Sequence, residues 1–291
     1  MSSLTLPFHP PDASGKLSAG SLRELQIAAR DVRRAILECA HRAQTPHIAP
    51  ALSSVDLLVA AYGSFLKIDP QNVGDPRRDI CIFSKGHAAL ALYCVLAARG
   101  FFPHAVLERF AKHGAELAEQ PAPSCAPGVE LATGSLGHGL PVGLGRILAQ
   151  RVLGFQRRVI VIVGDGECNE GSMWEAALFA PAQKMAELTV VVDFNRWQGT
   201  GRSREIMALD DLRAKWESFG WRAIDAPGHD MAELVRLLNL PPDSAGRPTA
   251  IIAHTTKGKG ISFMEDDNNW HYLTMKDEHL QKALVELEAQ P

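Results

Sequence analysis

The sequence predicts an α/β fold, with a parallel sheet covered by helices on both faces, and three observations lead there. Five short apolar-rich runs, at 79–83, 158–163, 188–193, 221–225 and 250–254, alternate with stretches of helical spacing. Runs that offer apolar side chains in both directions suit strands buried between helical layers. An apolar content of 46% in 291 residues is enough for one large domain with both sheet faces covered.

In chain order, residues 1–20 are rich in Pro, Ser and Gly and read as an N-terminal arm, loose or clasped on a partner, with one domain over 21–291. Ser21 with Glu24 three residues on has the form of a capping box, and Leu25, Ala28, Val32, Ile36 and Cys39 follow at helical spacing. A second helix is expected over 54–65, with Val55, Leu58 and Val59 on one side. The five strand candidates come next, each separated by helical sequence, and an amphipathic helix over 276–288 follows them. No internal repeat or low-complexity tract interrupts the pattern.

A net charge of −3 and the lack of a basic stripe argue against nucleic acid or a membrane surface as partner. The five cysteines are widely spaced, with no Cys-x-x-Cys pair, and read as reduced, mostly buried thiols of a cytoplasmic protein. The first twenty residues lack the charged start and apolar core of a leader, and no window holds eighteen uncharged apolar residues.

Chemistry gathers just past the strand candidates. Gly164-Asp165-Gly166-Glu167 follows the run 159–163, and Asn195 ends the run that begins at 188. Gly-Asp-Gly alone is as easily a turn. Here, however, Ser84–His87, Gly164–Glu167, Asn195–Gln198 and Thr255–Lys259 each follow a strand candidate, and ligands of open parallel sheets bind outside the carboxyl ends of strands. Mg²⁺ takes near-octahedral oxygen ligands, one or two from side chains and the rest from phosphate and water, so Asp165 and Asn195 suit a magnesium-diphosphate site.

Gly164-Asp165-Gly166-Glu167-Cys168-Asn169-Glu170-Gly171 and the stretch from Val191 to Gly201 resemble the thiamine-diphosphate motif of transketolases. Ser84-Lys85-Gly86-His87-Ala88 and Thr133-Gly134-Ser135-Leu136-Gly137-His138-Gly139 resemble further motifs of that family, in the same order along the chain. The form is similar to a split transketolase, whose first domain is a separate chain. The resemblance implies the thiamine-diphosphate-binding fold, with Asp165, the Asn195 side chain and the Trp197 carbonyl as Mg²⁺ ligands. It implies cofactor contacts from His87, Gly137, His138, Gly164, Gly166, Glu167, Asn195, Lys257 and His271, with the amides around Gly166 facing the diphosphate. His47, His87, His271 and Gln120 are the implied catalytic residues.

Departures from the family pattern bear on substrate. Gln120 stands where the family commonly has a histidine; it exchanges hydrogen bonds but does not shuttle protons near neutral pH. Pro46 precedes His47 in place of glycine, Ala49-Pro50 replaces a small Gly/Ser pair, and Tyr272 follows His271 where glycine is usual. The resemblance further implies a C-terminal partner subunit carrying the pyrimidine domain and the catalytic glutamate, in an α2β2 assembly that acts on sugars. The implied reaction is transfer of a two-carbon ketol unit from a ketose, phosphorylated by expectation, to an aldose. Transfer to a non-sugar or carrier-bound acceptor is one alternative, and a binding module that has lost its chemistry is another.

Overall fold

The computed structural model describes residues 4–122 and 125–290. In chain order the helices and strands are α1 (Ala19–Ala43), α2 (Ile48–Ser53), α3 (Val55–Ala60), β1 (Ile80–Phe83), α4 (Ala89–Ala98), α5 (Gly139–Val152), β2 (Val159–Gly164), α6 (Gly171–Ala182), β3 (Leu188–Phe194), α7 (Ser203–Ile206), α8 (Leu212–Ser218), β4 (Arg222–Pro227), α9 (Met231–Leu238), β5 (Thr249–His254) and α10 (Asp277–Glu288). The five strands form one sheet in the order β1-β2-β3-β5-β4, and every pairing is parallel.

Alternate strand residues feed two separate cores, which is why the runs are apolar throughout. Cys81, Phe83, Ile160, Ile162, Val191 and Ile251 face a layer that includes α1, α2, α3, α4 and α9. Ile82, Val161, Val163, Val190, Val192 and Ile252 face α5, α6 and α8. Gly143 belongs to this second layer: a methyl group added there would lie 2.8 Å from Val161 Cγ2, so the missing side chain lets α5 sit close on β2.

Three details differ from the sequence expectations. The first helix is capped by Ser18, not Ser21: Ser18 Oγ accepts the Ser21 N–H at 3.1 Å, and the helix starts at Ala19. The second helical region starts at Ile48, breaks at Ser54, and ends in a wider turn at Ala61–Phe65. Pro50 does not oppose this earlier start, because in a first turn its missing N–H has no partner to lose. The arm closes on its own chain: Leu4 and Leu6 are buried, Leu6 N donates to Ala98 O at 2.8 Å, and His9 N donates to Gly63 O at 2.7 Å. Residues 1–3 lie outside the described part of the arm.

The apolar stretch Ile48–Phe65 is the one described helix long enough to cross a membrane, and it lies wholly inside the protein. Four of the five cysteines are buried.

A buried ion pair fastens the sheet to this layer. Lys85, just after β1, pairs with Asp193 in β3, and both are almost fully enclosed. Asp193 Oδ2 also accepts from Ser53 and Ser54 Oγ at 2.7 Å each, Asp193 Oδ1 accepts from Thr255, and Lys85 Nζ donates to Pro50 O at 3.0 Å. Burial alone would raise the Asp193 carboxyl, but Lys85 and the hydroxyls outweigh it and hold the group below its usual value.

Asp193→Leu should destabilise the chain by about 3–5 kcal/mol, since Lys85 is left as a lone buried charge. The double variant Lys85→Met/Asp193→Leu should recover most of that loss. Urea midpoints of the two variants check the difference, and equal destabilisation would show that the pair is not what fastens these elements.

Candidate active site

The loops after β1, β2, β3 and β5 converge on one edge of the sheet and enclose a cleft of about 360 Å³. The register sets Gly164 beside Asp193, which brings Asp165 and Asn195 next to one another at the strand ends. Asp165 Oδ1 accepts from the Gly166 N–H at 2.9 Å and Oδ2 from Ser203 Oγ at 2.7 Å. Burial, with nearby Asp193 adding to it, still pushes the Asp165 carboxyl up to about 6. Asn195 Oδ1 accepts from Trp197 N at 3.0 Å, and its Nδ2 reaches Ser53 Oγ at 3.4 Å.

The 196–203 turn frames this floor. Arg196 is in the left-handed region (φ 68°), and Gln198 N donates to Gly201 O at 2.9 Å. The Arg202 guanidinium lies 3.8 Å from the Trp197 ring centroid and makes two 2.6 Å bonds to Asp266, which also accepts the Trp197 indole N–H at 2.8 Å.

One wall consists of three imidazoles. The His47 ring centroid is 5.6 Å from that of His87 and 5.2 Å from that of His271, and His87 stacks on His271 at 5.7 Å. His47 caps α2 with φ 65°, and its N–H donates to His271 O at 3.0 Å, so two distant segments meet through the backbone. Lys257, almost fully buried, donates to Asn268 Oδ1 at 2.6 Å and to His271 Nδ1 at 2.8 Å. Burial, then the nearby Lys85, lowers the Lys257 amine to about 7. Burial, then Lys257, lowers His271 to about 3; burial and Lys85 hold His87 far below its usual range, and burial and Lys257 lower His47. All three rings are therefore neutral near pH 7.

The other expected residues fall into two groups. His87, Gly164, Asp165, Gly166, Asn195 and Trp197 line the cleft, as do Lys257 and His271. Glu167 also borders it, but its carboxylate is turned into the loops: it accepts from Ser84 Oγ, from Gly137 N at 2.8 Å and from Gly164 N at 3.3 Å. Gly137 has φ 86°, and a methyl group on it would lie 2.5 Å from Ser172 Oγ, so only glycine fits between that loop and α6. The Gly166 amide is engaged by Asp165 rather than free. His138 is exposed, its Nδ1–H directed to Ser135 O at 3.1 Å, and Gln120 is exposed and packs over Gly134; the structure places neither side chain in the cleft. Lys85, Asp193, Ser203 and Asn268 support the site without having been singled out by the sequence reading. Lys85 and Asp193 were within the quoted motifs, and a lysine and an aspartate at two buried strand ends were the available signal.

The donor set fits a magnesium-held diphosphate. Among the described residues no group of three His, Cys, Asp or Glu side chains forms a closed metal site. A buried carboxylate raised to about 6 beside an amide oxygen is instead the open, all-oxygen pair that a hard cation completes with phosphate and water. Asn169 Oδ1 and Gln198 Nε2, both buried at this cleft, have no protein partner, and buried polar atoms of that kind call for a ligand or water.

Comparison with known proteins agrees. A family model described as the thiamine diphosphate binding domain of transketolase matches residues 25–291. One of the two named subunits of the apulose-4-phosphate transketolase of Actinobacillus succinogenes is 40% identical over 271 residues, covering 92% of this chain and 97% of its own length. A subunit of the 6-deoxy-6-sulfo-D-fructose transketolase of a Clostridium species is 36% identical over 265 residues, covering 91% of this chain and 96% of its own. The solved transketolase of Campylobacter jejuni matches with a TM-score of 0.82 at 26% identity, over 94% of this chain and 43% of that one. That of Leishmania mexicana, at 22% identity, a TM-score of 0.84 and coverage of 91% and 41%, shares the fold. The chain thus spans well under half of these solved enzymes but nearly all of the relatives named as subunits. It belongs to the transketolase family and has the form of the N-terminal, thiamine diphosphate binding subunit of a split transketolase.

Proposed function

We propose that this chain is the cofactor-binding subunit of a two-chain cytoplasmic enzyme that transfers a two-carbon ketol unit from a ketose, most simply a ketose phosphate, to an aldose. The carrying observation is the meeting of an open oxygen pair, Asp165 and Asn195, with a wall of three neutral imidazoles on one sheet edge. Relatives of matching length are named as transketolase subunits, which supports a C-terminal partner bringing the pyrimidine domain and catalytic glutamate in an α2β2 assembly. On that reading the chain is inactive alone.

Asp165, the Asn195 amide oxygen and the Trp197 carbonyl would hold Mg²⁺, and Lys257 and His87 would meet the diphosphate. When bound, thiamine diphosphate supplies the electron sink for breaking and making the carbon–carbon bond. What this chain adds is position and proton handling. Neutral imidazoles both donate and accept, so the wall can bind vicinal hydroxyls of a sugar. His271 and His87 are too weakly basic to take a proton near pH 7 and serve as hydrogen-bonding walls; His47, at the head of α2, is the ring best suited to carry one. Gln120 and His138 act, on this reading, only where the partner subunit brings substrate or cofactor out to them.

The test is recovery of the tagged chain from its host in Mg²⁺ and thiamine diphosphate. A co-purifying partner and about one cofactor per pair are expected, with ketol transfer from a ketose phosphate. A lone chain that retains no cofactor would sink the proposal and favour the degenerate binding module.

Two outcomes follow from the electrostatics. Asp165→Asn should keep the fold but weaken Mg²⁺-dependent cofactor binding by about 100-fold, the equivalent of the ~3 kcal/mol carried by a charged contact; equilibrium dialysis with and without Mg²⁺ reads it. Lys257 is the second. Its folded value near 7 lies below the ordinary 10.5, so the free chain binds fewer protons than the unfolded one between those values and gains stability as pH rises through that window. A diphosphate beside Lys257 restores its charge. Cofactor binding at pH 8 should therefore take up close to ~1 proton, and in Lys257→Met almost none, as calorimetry in buffers of different ionisation enthalpy would show.

A further inference from the structure

One large side chain at the mouth of the cleft has no part in the chemistry above. Tyr272 is 61% exposed yet lines the cleft, with its ring centroid 4.6 Å from that of His271 and 5.9 Å from that of His47. It reaches across to the opposite loop: a methyl group placed on Gly199 would lie 2.6 Å from Tyr272 Oη. The same two loops are joined beneath it, where Asn268 accepts from Lys257 at 2.6 Å and its Nδ2 donates to Gly199 O at 3.3 Å. Tyr272 N is held by Asn269 O at 3.1 Å, so the ring stands on an anchored turn rather than a free one.

The placement assigns the ring to a definite part of a substrate. The Asp165 and Asn195 floor is deep in the cleft, the imidazoles stand above it, and Tyr272 closes the outer side toward Gly199. Carbons being transferred lie toward the floor, and the remainder of the sugar must pass the phenol. An aromatic face packs against the C–H face of a sugar and the phenol exchanges hydrogen bonds with its hydroxyls, while a rigid ring excludes what does not fit.

We propose that Tyr272 is a substrate-contacting residue that sets acceptor length: it narrows the passage between the His47–His271 wall and the Gly199 turn, so that short aldehydes are favoured over long aldose phosphates. The inference rests on the ketol-transfer reading.

The experiment uses the native complex of this chain with its partner, loaded with Mg²⁺ and thiamine diphosphate. With one ketose donor held constant, kcat/KM is compared for glycolaldehyde and ribose 5-phosphate. Tyr272→Gly should raise the ribose 5-phosphate to glycolaldehyde ratio by about tenfold, the scale of discrimination set by pocket size. Tyr272→Phe keeps the ring and should keep the ratio within about twofold. Cofactor affinity, read by tryptophan quenching, should be unchanged in both.

An unchanged ratio in Tyr272→Gly overturns the proposal, as does a Tyr272→Phe variant that relaxes selectivity equally. So does a loss of cofactor affinity without a change of ratio, which would make the ring part of the cofactor site. A wild-type complex with cofactor but no ketol transfer overturns the functional reading itself, a result distinct from an active complex with unaltered selectivity.

Discussion

The pairing of Lys85 with Asp193 is the constraint on which the rest of the cleft depends. Neither charge has access to water, so each is tolerable only in the presence of the other. The carboxylate also takes hydroxyls from Ser53, Ser54 and Thr255, and the ammonium bonds the Pro50 carbonyl. One ion pair thereby fixes β1, β3, the segment after β5 and the helix that starts at His47. Every cleft-lining loop except that after β2 leaves from one of these anchors, and β2 lies between β1 and β3.

Two aspartates at the ends of neighbouring strands show how placement decides role. Asp193 has its counter-charge inside the protein and is held below its usual value; Asp165 has only a hydroxyl and an amide, and burial lifts it to about 6. The first is a fastening and the second an unmet demand for a cation. The same contrast separates Glu167, whose oxygens are consumed by Ser84, Gly137 and Gly164, from a ligand-facing acid. Lys85 and Lys257 divide in parallel: one is matched, and the other is left near neutrality against His271, where an incoming anion would charge it.

The sheet was legible because its strands are buried on both sides, which makes each of them a dense apolar run with ordinary turn chemistry after it. The metal pair and the histidines were legible because each follows such a run. Where local rules competed, the reading slipped. Ser18 and Ser21 are both plausible caps, and only the geometry chooses between them; Pro50 reads as a breaker although a first helical turn accepts it. Asp193, Ser203 and Asn268 carried no local mark, because their partners lie on other strands or loops. Gln120 and His138 came from alignment of motif to motif, which assigns a position in the chain but not the direction of a side chain.

The bond from His47 N–H to His271 O joins residues near the two ends of the fold and closes the imidazole wall. Contacts so distant along the chain carry the largest loop-closure cost and tend to form late. The wall therefore exists only once the sheet and both helical layers are in place. A partly folded chain presents the Asp165 loop without its opposite side, so a ligand spanning the two has little hold on it. Cofactor capture in such a protein acts as a checkpoint on completed folding rather than as a template for it.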